Sequence, residues 1–210
     1  MAGAAPHPAQ GPAMSQGCRD REHHRLCRVR EEIRADIRRY MNSSPDNVAR
    51  GDRFVTRLST LLRPEIICLA LHRTAHWLHV NGWHRAATAV SRFNFVLHKT
   101  SITPQSCIGP GCRLPHPPGV VFHGCAGEGL TLYSMAVCCA REGRLDGSIE
   151  GGPRLGDRVM VGGHAVLIGP IHVGDDARIE FCVGVCADVP PGTIVARRLR
   201  RPTFRPIHEN

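Results

Sequence analysis

Aliphatic residues recur every six positions along two stretches of the chain. The earlier stretch has Ile102, Ile108, Leu114 and Val120, and the later one has Leu155, Val161, Leu167, Val173, Ile179 and Val185. A short fixed period is typical of a solenoid, and it fits neither an isolated helix nor the two-residue alternation of a half-buried strand. It predicts short strands joined by tight turns, three to a coil, with each aliphatic residue pointing inward and successive coils about 4.8 Å apart.

Small residues accompany this six-residue repeat. Glycine follows the aliphatic residue at Gly109, Gly156, Gly162 and Gly174, and a small or aliphatic residue comes four positions after it, at Ser106, Cys112, Val159, Ala165, Ile171, Ala177 and Val183. We expect the glycines at turns that a side chain would obstruct. The alternative fold is a β-sandwich, which the short period disfavours because sandwich turns usually recur about every 8–12 residues.

Helical patterns precede the repeat. Apolar residues at three- and four-residue intervals predict a first helix from Cys18 or Arg25 to Tyr40, and helical character resumes near Asp52 and pauses at Pro64. A further helix is predicted from Glu65 to Val80, ending at Asn81 and Gly82, and another from about His84 to Lys99. The predicted class is therefore α+β, with a helical N-terminal domain followed by a parallel β-helix of hexapeptide repeats.

The domain boundaries follow from these patterns. We predict a disordered tail over 1–17, a helical domain over 18–100, the β-helix over 101–195 and a basic tail over 196–210. The repeat lapses between 123 and 152, and the Gly-rich, polar stretch at about 141–153 is predicted to be a loop ejected from the solenoid. Functional residues often lie on such loops.

Composition narrows the function classes. The chain has 210 residues and a formal charge of +9, and Lys99 is its only lysine. No apolar run approaches the roughly 18 residues of a membrane span, and the N-terminus lacks the features of a secretory signal, so we expect a cytoplasmic protein. Aromatic residues make up 5% of the chain, which leaves few platforms for stacking nucleic-acid bases. The densest basic cluster is either a solvated tail or a segment that attracts an anionic cofactor. It comprises Arg197, Arg198, Arg200 and Arg201.

Ten cysteines allow three interpretations: a disulfide framework, a metal site or packing. Disulfides are rare in a reducing cytosol. There is no C-x-x-C pair, and the spacings of Cys138 with Cys139 and of Cys107 with Cys112 are not usual for zinc. We therefore expect packing residues and no metal. Cys112, for example, occupies a small-residue position of the repeat.

Four segments between about 63 and 202 resemble the serine acetyltransferase family. The helical part carries LHRTAHWLHVNGWHRAA, similar to the family's YR-x-AHWL-x-x-x-G, and the first repeats carry ITPQSCIGPGCRLPHPPGVVFHG, similar to IHP-x-A-x-IG-x-G-x-x-x-DH-x-x-GVVIG. The later repeats carry PRLGDRVMVGGHAVLIGPIHVGDDARI and close with ADVPP, like the family's DVPP ending. The combination of the AHWL stretch with this ending is more specific than any hexapeptide repeat alone.

The resemblance implies a left-handed β-helix that forms a homotrimer, or a dimer of trimers, with active sites between neighbouring solenoids. It implies transfer of acetyl from acetyl-CoA, as co-substrate, to the serine hydroxyl, a reaction of cysteine biosynthesis. The family's general base, the histidine of the DH pair, falls on His116. A histidine suits this role because its pKa lies near neutrality. The cofactor groove would involve Gly162, Gly163, Ala165 and Pro190. No nucleic acid or membrane is expected as a partner.

Several positions depart from the family pattern. Ser101 stands where the carboxylate partner of the base is expected, Thr103 replaces the histidine of IHP, and Pro115 replaces the aspartate before the base. The Arg-His pair that handles the substrate carboxylate falls on Gly151 and Gly152. Loss of an orienting carboxylate and of an arginine clamp weakens serine chemistry.

These departures leave the acceptor open. It is serine, another amino acid or a small alcohol, with Ser101, Pro115, Gly151 and Gly152 at the acceptor positions. Other histidines on or near turns, namely His123, His164 and His172, either compensate for the losses or are solvated turn residues. The alternative function is a non-catalytic hexapeptide-repeat scaffold that binds a partner protein.

Overall fold

The computed structural model describes residues 26–42, 62–141 and 149–197. In these parts, three helices precede a series of very short strands. The helices are α1 (Leu26–Asn42), α2 (Pro64–Val80) and α3 (His84–His98). The predicted tail over 1–17, the helical start near Asp52 and the arginines beyond Arg197 lie outside the described residues.

Thirteen strands of two or three residues make up the described β part. They are β1 (Ser101–Ile102), β2 (Cys107–Ile108), β3 (Val121–Phe122), β4 (Cys125–Ala126), β5 (Thr131–Leu132), β6 (Val137–Cys139), β7 (Arg154–Leu155), β8 (Met160–Val161), β9 (Val166–Ile168), β10 (His172–Val173), β11 (Arg178–Ile179), β12 (Gly184–Val185) and β13 (Ile194–Val195). The first strand starts at Ser101 and the last ends at Val195, and the domain boundaries themselves stay a prediction.

Every strand pair is parallel, and the strands form three sheets. The first sheet has the order β1-β3-β6-β9-β12, the second β10-β7-β4-β2 and the third β13-β11-β8-β5. Neighbours within a sheet therefore come from successive coils, and one coil passes through each sheet in turn. This is the three-sided parallel β-helix that the six-residue period predicts.

The repeat residues line the interior of this solenoid. Val161, Leu167 and Ile179 are fully buried, as expected for side chains that face the axis of a coil. The earlier repeat needs one correction. Val120 is fully buried but precedes β3, and Phe122 holds the strand position that the period assigns to residue 120. The turn at 115–120 has six residues, two more than the period allows.

The solenoid also continues where the sequence repeat lapses. Ala126, Leu132 and Cys138 are the inward residues of β4, β5 and β6, and each is almost fully buried. The period is obscured there because β4 follows β3 after a short turn and because two of the three inward residues are not large aliphatics. The ejected segment lies between Cys139 and Arg154, and its residues 142–148 are not described.

The glycines of the repeat are required by close stacking of coils. A Cβ at Gly109 would overlap the carbonyl oxygen of Gly127 in the next coil, and a Cβ at Gly174 would overlap the backbone of Pro191. Neither glycine has a positive φ. Left-handed turn positions are instead held by other residues, including Met135, Arg158, His164, Asp176 and Cys182. The expectation that a side chain would obstruct these positions is confirmed, with neighbouring coils as the obstruction.

A buried ionic cluster joins the helices to the first coil. Arg73 of α2 contacts both oxygens of Asp36 of α1, at 3.2 and 3.3 Å, and lies 3.3 Å from Glu32. The same guanidinium donates to the carbonyl oxygens of Ile108 and Gly109, and Asp36 accepts the N–H of Cys112. The helices are therefore fixed to the solenoid by the hydrogen bonds of Arg73 and Asp36, while the Oε1 atom of Glu32 is buried without a hydrogen-bond partner among the described residues.

Half of the eight cysteines whose side chains the structure describes are buried packing residues, namely Cys68, Cys107, Cys112 and Cys138, whereas Cys182 and Cys186 are exposed. Burial raises the pKa of Cys112 to about 12, so this thiol stays protonated at neutral pH. Among the described helices, none is long and apolar enough to cross a membrane.

Candidate active site

The predicted site residues fall on the edges of the first sheet. We call the turns that lead from the third sheet to the first sheet the first edge (115–120, 133–136, 162–165 and 180–183). The second edge comprises the described residues of the turns from the first sheet to the second (103–106, 123–124, 140–141, 149–153 and 169–171). The third edge comprises the turns from the second sheet to the third. The first sheet therefore separates His116 from Gly151 and Gly152.

On the first edge, His116 is exposed on a turn whose backbone is held in place. Thr100 donates its hydroxyl to the carbonyl oxygen of Pro117 at 2.7 Å, and the N–H of Gly119 donates to the carbonyl oxygen of Lys99 at 2.8 Å. The His116 imidazole itself makes no hydrogen bond or ion pair with any described residue. Pro115, before it, has no polar side chain. His116 is thus available to a ligand without an orienting partner from the described part of its own chain.

Gly162 and Gly163, predicted to bind the cofactor, are buried within the first edge. A Cβ at Gly162 would lie 2.7 Å from the amide nitrogen of Phe181, and one at Gly163 would lie 3.1 Å from the carbonyl oxygen of Ser134. These two glycines therefore allow the neighbouring coils to approach, and they present little surface of their own. The exposed group above them is Phe181, whose ring lies 5.3 Å from that of Tyr133, centroid to centroid.

The other two predicted cofactor residues, Ala165 and Pro190, have different surroundings. Ala165 is fully buried in the solenoid, its N–H donates to the carbonyl oxygen of Gly162, and its own carbonyl accepts from Val137. It therefore has no free donor for a ligand. Pro190 is exposed on the third edge, which separates it from Gly162 and Gly163 in a single chain.

On the second edge, Ser101 and His123 form a side-chain pair. Ser101 of β1 pairs in register with Val121 of β3, and His123 lies two residues beyond Val121 on the same face. Its imidazole reaches back to the serine, with 3.3 Å between Ser101 Oγ and His123 Nε2. Both side chains are half-buried. Burial lowers the pKa of His123, and no charged group of the described chain contributes to that shift.

Of the predicted acceptor residues on this edge, Gly152 lies against His123, whereas Gly151 is exposed. A Cβ at Gly152 would overlap the carbonyl oxygen of His123, and Gly152 donates its N–H to Ile149. The family's charged pair is thus absent at these positions, and Gly152 has no room for a side chain. Thr103, at the family's histidine position, is also buried, with 6% of its surface exposed.

The sequence named His123 only as one of three further histidines. A regular period places Ser101 opposite residue 119 and so does not predict its contact with His123, whereas the six-residue turn at 115–120 moves its partner to Val121. His164 is exposed on the first edge with φ of 57°. His172 lies on the second sheet, 3.8 Å from Asp188. Within the described residues, no three His, Cys, Asp or Glu side chains are grouped as metal ligands.

The chain is similar in sequence to known serine acetyltransferases. No family model matches the chain. It is 36% identical over 126 residues to a serine acetyltransferase of Mycobacterium tuberculosis, covering 59% of this chain and 54% of that protein. It is also 36% identical over 135 residues to a serine acetyltransferase of Helicobacter pylori, covering 63% of this chain and 77% of that protein.

Solved structures share the fold. Serine acetyltransferase isoform 3 of Entamoeba histolytica, in complex with cysteine, superposes with a TM-score of 0.73 at 21% identity over 86% of this chain and 62% of that one. The Neisseria gonorrhoeae enzyme in complex with serine gives a TM-score of 0.71 at 24% identity, over 84% of this chain and 69% of that one. The predicted fold, a helical N-terminal domain followed by a left-handed parallel β-helix, is confirmed.

The chain covers different shares of the two bacterial relatives. The chain spans just over half the length of its Mycobacterium tuberculosis relative and about three quarters of the Helicobacter pylori one. The similarity includes both the helical stretch that docks on the first coil and the solenoid that carries His116. The chain belongs to the serine acetyltransferase family.

Proposed function

We propose that this chain is an O-acyltransferase that moves acetyl from acetyl-CoA to the hydroxyl of serine or of a related small acceptor. With serine as acceptor, the product serves cysteine biosynthesis. The observation that carries the proposal is the exposed His116 on an anchored turn of the first edge, within a fold shared with curated serine acetyltransferases. The turn positions the imidazole, while the side chain remains free to meet an acceptor.

In this proposal His116 acts as the general base. The imidazole takes the proton of the acceptor hydroxyl while its oxygen attacks the thioester carbonyl carbon. The carbon–sulfur bond then breaks, and the released thiolate of CoA takes up the proton. A hydroxyl is a poor nucleophile until its proton is removed, and a positioned base contributes about 10²–10⁴ in rate. No metal is required by this sequence of steps.

We place the cofactor along the first edge. Gly162 and Gly163 let the coils approach there, and the exposed ring of Phe181, packed on the half-buried ring of Tyr133, offers apolar surface beside them. The turn at Pro190 would complete the groove only from a neighbouring solenoid. This arrangement fits a homotrimer, or a pair of trimers, in which edges of adjacent solenoids meet.

Exposed apolar residues on α3 also support self-association. Trp83, Phe93, Val96 and Leu97 each expose more than half of their surface in a single chain. Burying such residues between copies would be favourable at about 25 cal/mol for each Å². The cytoplasmic location stays a prediction of the sequence.

The second candidate function is a non-catalytic scaffold. Ser101, Pro115, Gly151 and Gly152 favour it, because each replaces a charged residue of the family site. On that view the assembly persists and a partner protein binds to it. Coenzyme A binding separates the two candidates, since a scaffold has no use for the cofactor.

One experiment tests the proposal directly. Release of free thiol from acetyl-CoA is followed with a panel of amino acids and small alcohols, and thermal unfolding is followed with and without coenzyme A. Ligand at about 100 times its Kd stabilises the folded state by about 2.7 kcal/mol. Acceptor-dependent thiol release with a raised Tm supports the transferase. The absence of both a Tm shift and thiol release at millimolar cofactor would support the scaffold.

A further inference from the structure

Ser101 and His123 form an uncharged polar pair on the second edge. The hydroxyl and the imidazole are 3.3 Å apart, and both side chains are half-buried. The strand register produces this contact, because Ser101 pairs with Val121 and His123 lies two residues further on the same face. The backbone of His123 is held too, since its N–H donates to the carbonyl oxygen of Cys138 at 2.8 Å. The His123 side chain therefore starts from a fixed backbone, and its imidazole has a hydrogen-bond partner that limits its rotation.

The pair lies next to the segment that the resemblance assigns to the acceptor carboxylate. Gly152 approaches the carbonyl oxygen of His123 so closely that a Cβ would overlap it. The neighbouring Gly124 is equally crowded, because a Cβ there would overlap the carbonyl oxygen of Pro153. At residue 152, where the family pattern has the histidine of its Arg-His pair, this chain has tight backbone packing against His123. The polar group left at this position is the imidazole itself.

The chemistry of this position differs from that of a carboxylate clamp. Burial lowers the pKa of His123, and no charged group among the described residues opposes the effect. A neutral imidazole and a hydroxyl each offer donors and acceptors without net charge. A ligand carboxylate placed here would lose water and gain no opposite charge, which is costly. An amide or hydroxyl would gain hydrogen bonds without that cost.

We propose that Ser101 and His123 form the acceptor subsite, and that they select a hydroxyl compound with an uncharged amide or alcohol in place of the carboxylate of serine. This inference rests on the proposed acyl transfer and names its acceptor class. His123 is the residue that hydrogen-bonds the acceptor, and Ser101 is a positioning residue that acts through the imidazole. In one chain the first sheet separates His116 from this pair, so the base would be the His116 of a neighbouring solenoid in the proposed trimer.

The test compares L-serinamide with L-serine as acceptors in the full-length protein with acetyl-CoA, measuring kcat and KM separately. We expect kcat/KM for serinamide to exceed that for serine by about tenfold or more, because the serine carboxylate would be buried here without an opposite charge. His123→Ala should raise KM for serinamide about tenfold and bring the ratio of the two acceptors towards one. His123→Asn, which keeps a donor and an acceptor, should retain part of the preference.

Two variants control this comparison. His172→Ala removes an exposed histidine of the second sheet and should change neither KM nor the acceptor ratio. Ser101→Ala should raise KM less than His123→Ala does, and the double variant should be no worse than His123→Ala alone. Independent effects of Ser101 and His123 would overturn the positioning role. A wild-type preference for serine, or an acceptor ratio that His123→Ala leaves unchanged, would overturn the subsite.

A binding measurement separates this inference from the proposed reaction. Titration calorimetry of serinamide and serine is carried out in the presence of coenzyme A, with wild-type protein and with His123→Ala. If no acceptor supports thiol release but serinamide binds more tightly than serine through His123, the proposed reaction fails and the subsite stands. If both acceptors are acetylated equally and bind equally, the reaction stands and the subsite fails.

Discussion

Removing the charge of Arg73 should destabilise the protein more than any surface ion pair can. Arg73 exposes 2% of its surface and Asp36 exposes 1%. Burial acts to lower the pKa of Arg73, but Asp36 and Glu32 more than offset this effect, and the net result is a raised pKa. Arg73→Met keeps a side chain of similar length while leaving two buried carboxylates without their cation.

The magnitude follows from the geometry of the cluster. Breaking a buried ion pair by removing one partner costs about 3–5 kcal/mol, a large part of the about 5–15 kcal/mol that stabilises a typical domain. For a chain of this length, that loss lowers Tm by about 6–20 °C. The carbonyl oxygens of Ile108 and Gly109 also lose their donor, so the loss should be felt at the junction between the helices and the first coil.

The loss should depend on pH in a defined direction. Burial raises the pKa of Asp36, and the charge of Arg73 opposes that rise, so removing Arg73 raises the pKa further. A carboxyl whose pKa is higher in the folded state stabilises the fold when it is protonated, and that contribution is lost as the pH rises through the folded pKa. The deficit of Arg73→Met relative to wild type should therefore be smaller near about pH 5 than near about pH 8.

The assay is thermal unfolding at one protein concentration, because assembly makes Tm depend on concentration. Arg158→Met is the matched control, since Arg158 pairs with Asp176 at 2.7 Å but both side chains are more than half exposed. Its effect should be small. A triple variant that also carries Glu32→Gln and Asp36→Asn should recover part of the loss. Equal losses for Arg73→Met and Arg158→Met would refute the argument.

Three further predictions concern the base, the assembly and the coil contacts. His116→Ala should lower kcat by about 10²–10⁴ with an unchanged Tm, whereas His172→Ala should leave kcat unchanged; normal turnover in His116→Ala would remove this residue from the mechanism. Sedimentation at micromolar concentration should give a trimer or a hexamer, and a monomer would contradict sites that form between solenoids. Gly109→Ala should lower stability by about 1–3 kcal/mol, as overpacking does, because its Cβ would overlap Gly127. Gly184→Ala is the control, since no atom lies within 4 Å of its Cβ position, and equal unfolding curves for the two would contradict the stacking argument.

The sequence predicts the fold well where the inward residues are large and evenly spaced. From β7 to β12 the aliphatic residue of the repeat is the inward residue of a strand, and α2 and α3 end within a residue or two of the expected positions. The two coils around β3 to β6 were less visible. Phe122 is displaced by two residues from the period, and Ala126 and Cys138 carry little hydrophobic signal although both are buried.

The site was less predictable than the fold, because a repeat gives the position of a residue along a coil but not its neighbours in the next coil. The resemblance placed His116 on a turn, and the structure shows that turn to be anchored by Thr100. The burial of Gly162 and Gly163 depends on Phe181, which follows them by eighteen residues or more. The pairing of Ser101 with His123 depends on one long turn that shifts the register.

The two edges of the first sheet have diverged to different extents from the family pattern. The first edge keeps His116 and the glycine turn at Gly162, whereas the departures at Ser101, Thr103 and Gly152 lie on the sheet and its second edge. Restoring the family residues singly would not restore the family site. At Gly152 a side chain collides with the backbone of His123, and an aspartate at Ser101 would place a charge beside an imidazole now held by a neutral partner. The changes at the second edge therefore depend on one another, whereas the first edge departs from the family pattern at Pro115, directly beside His116.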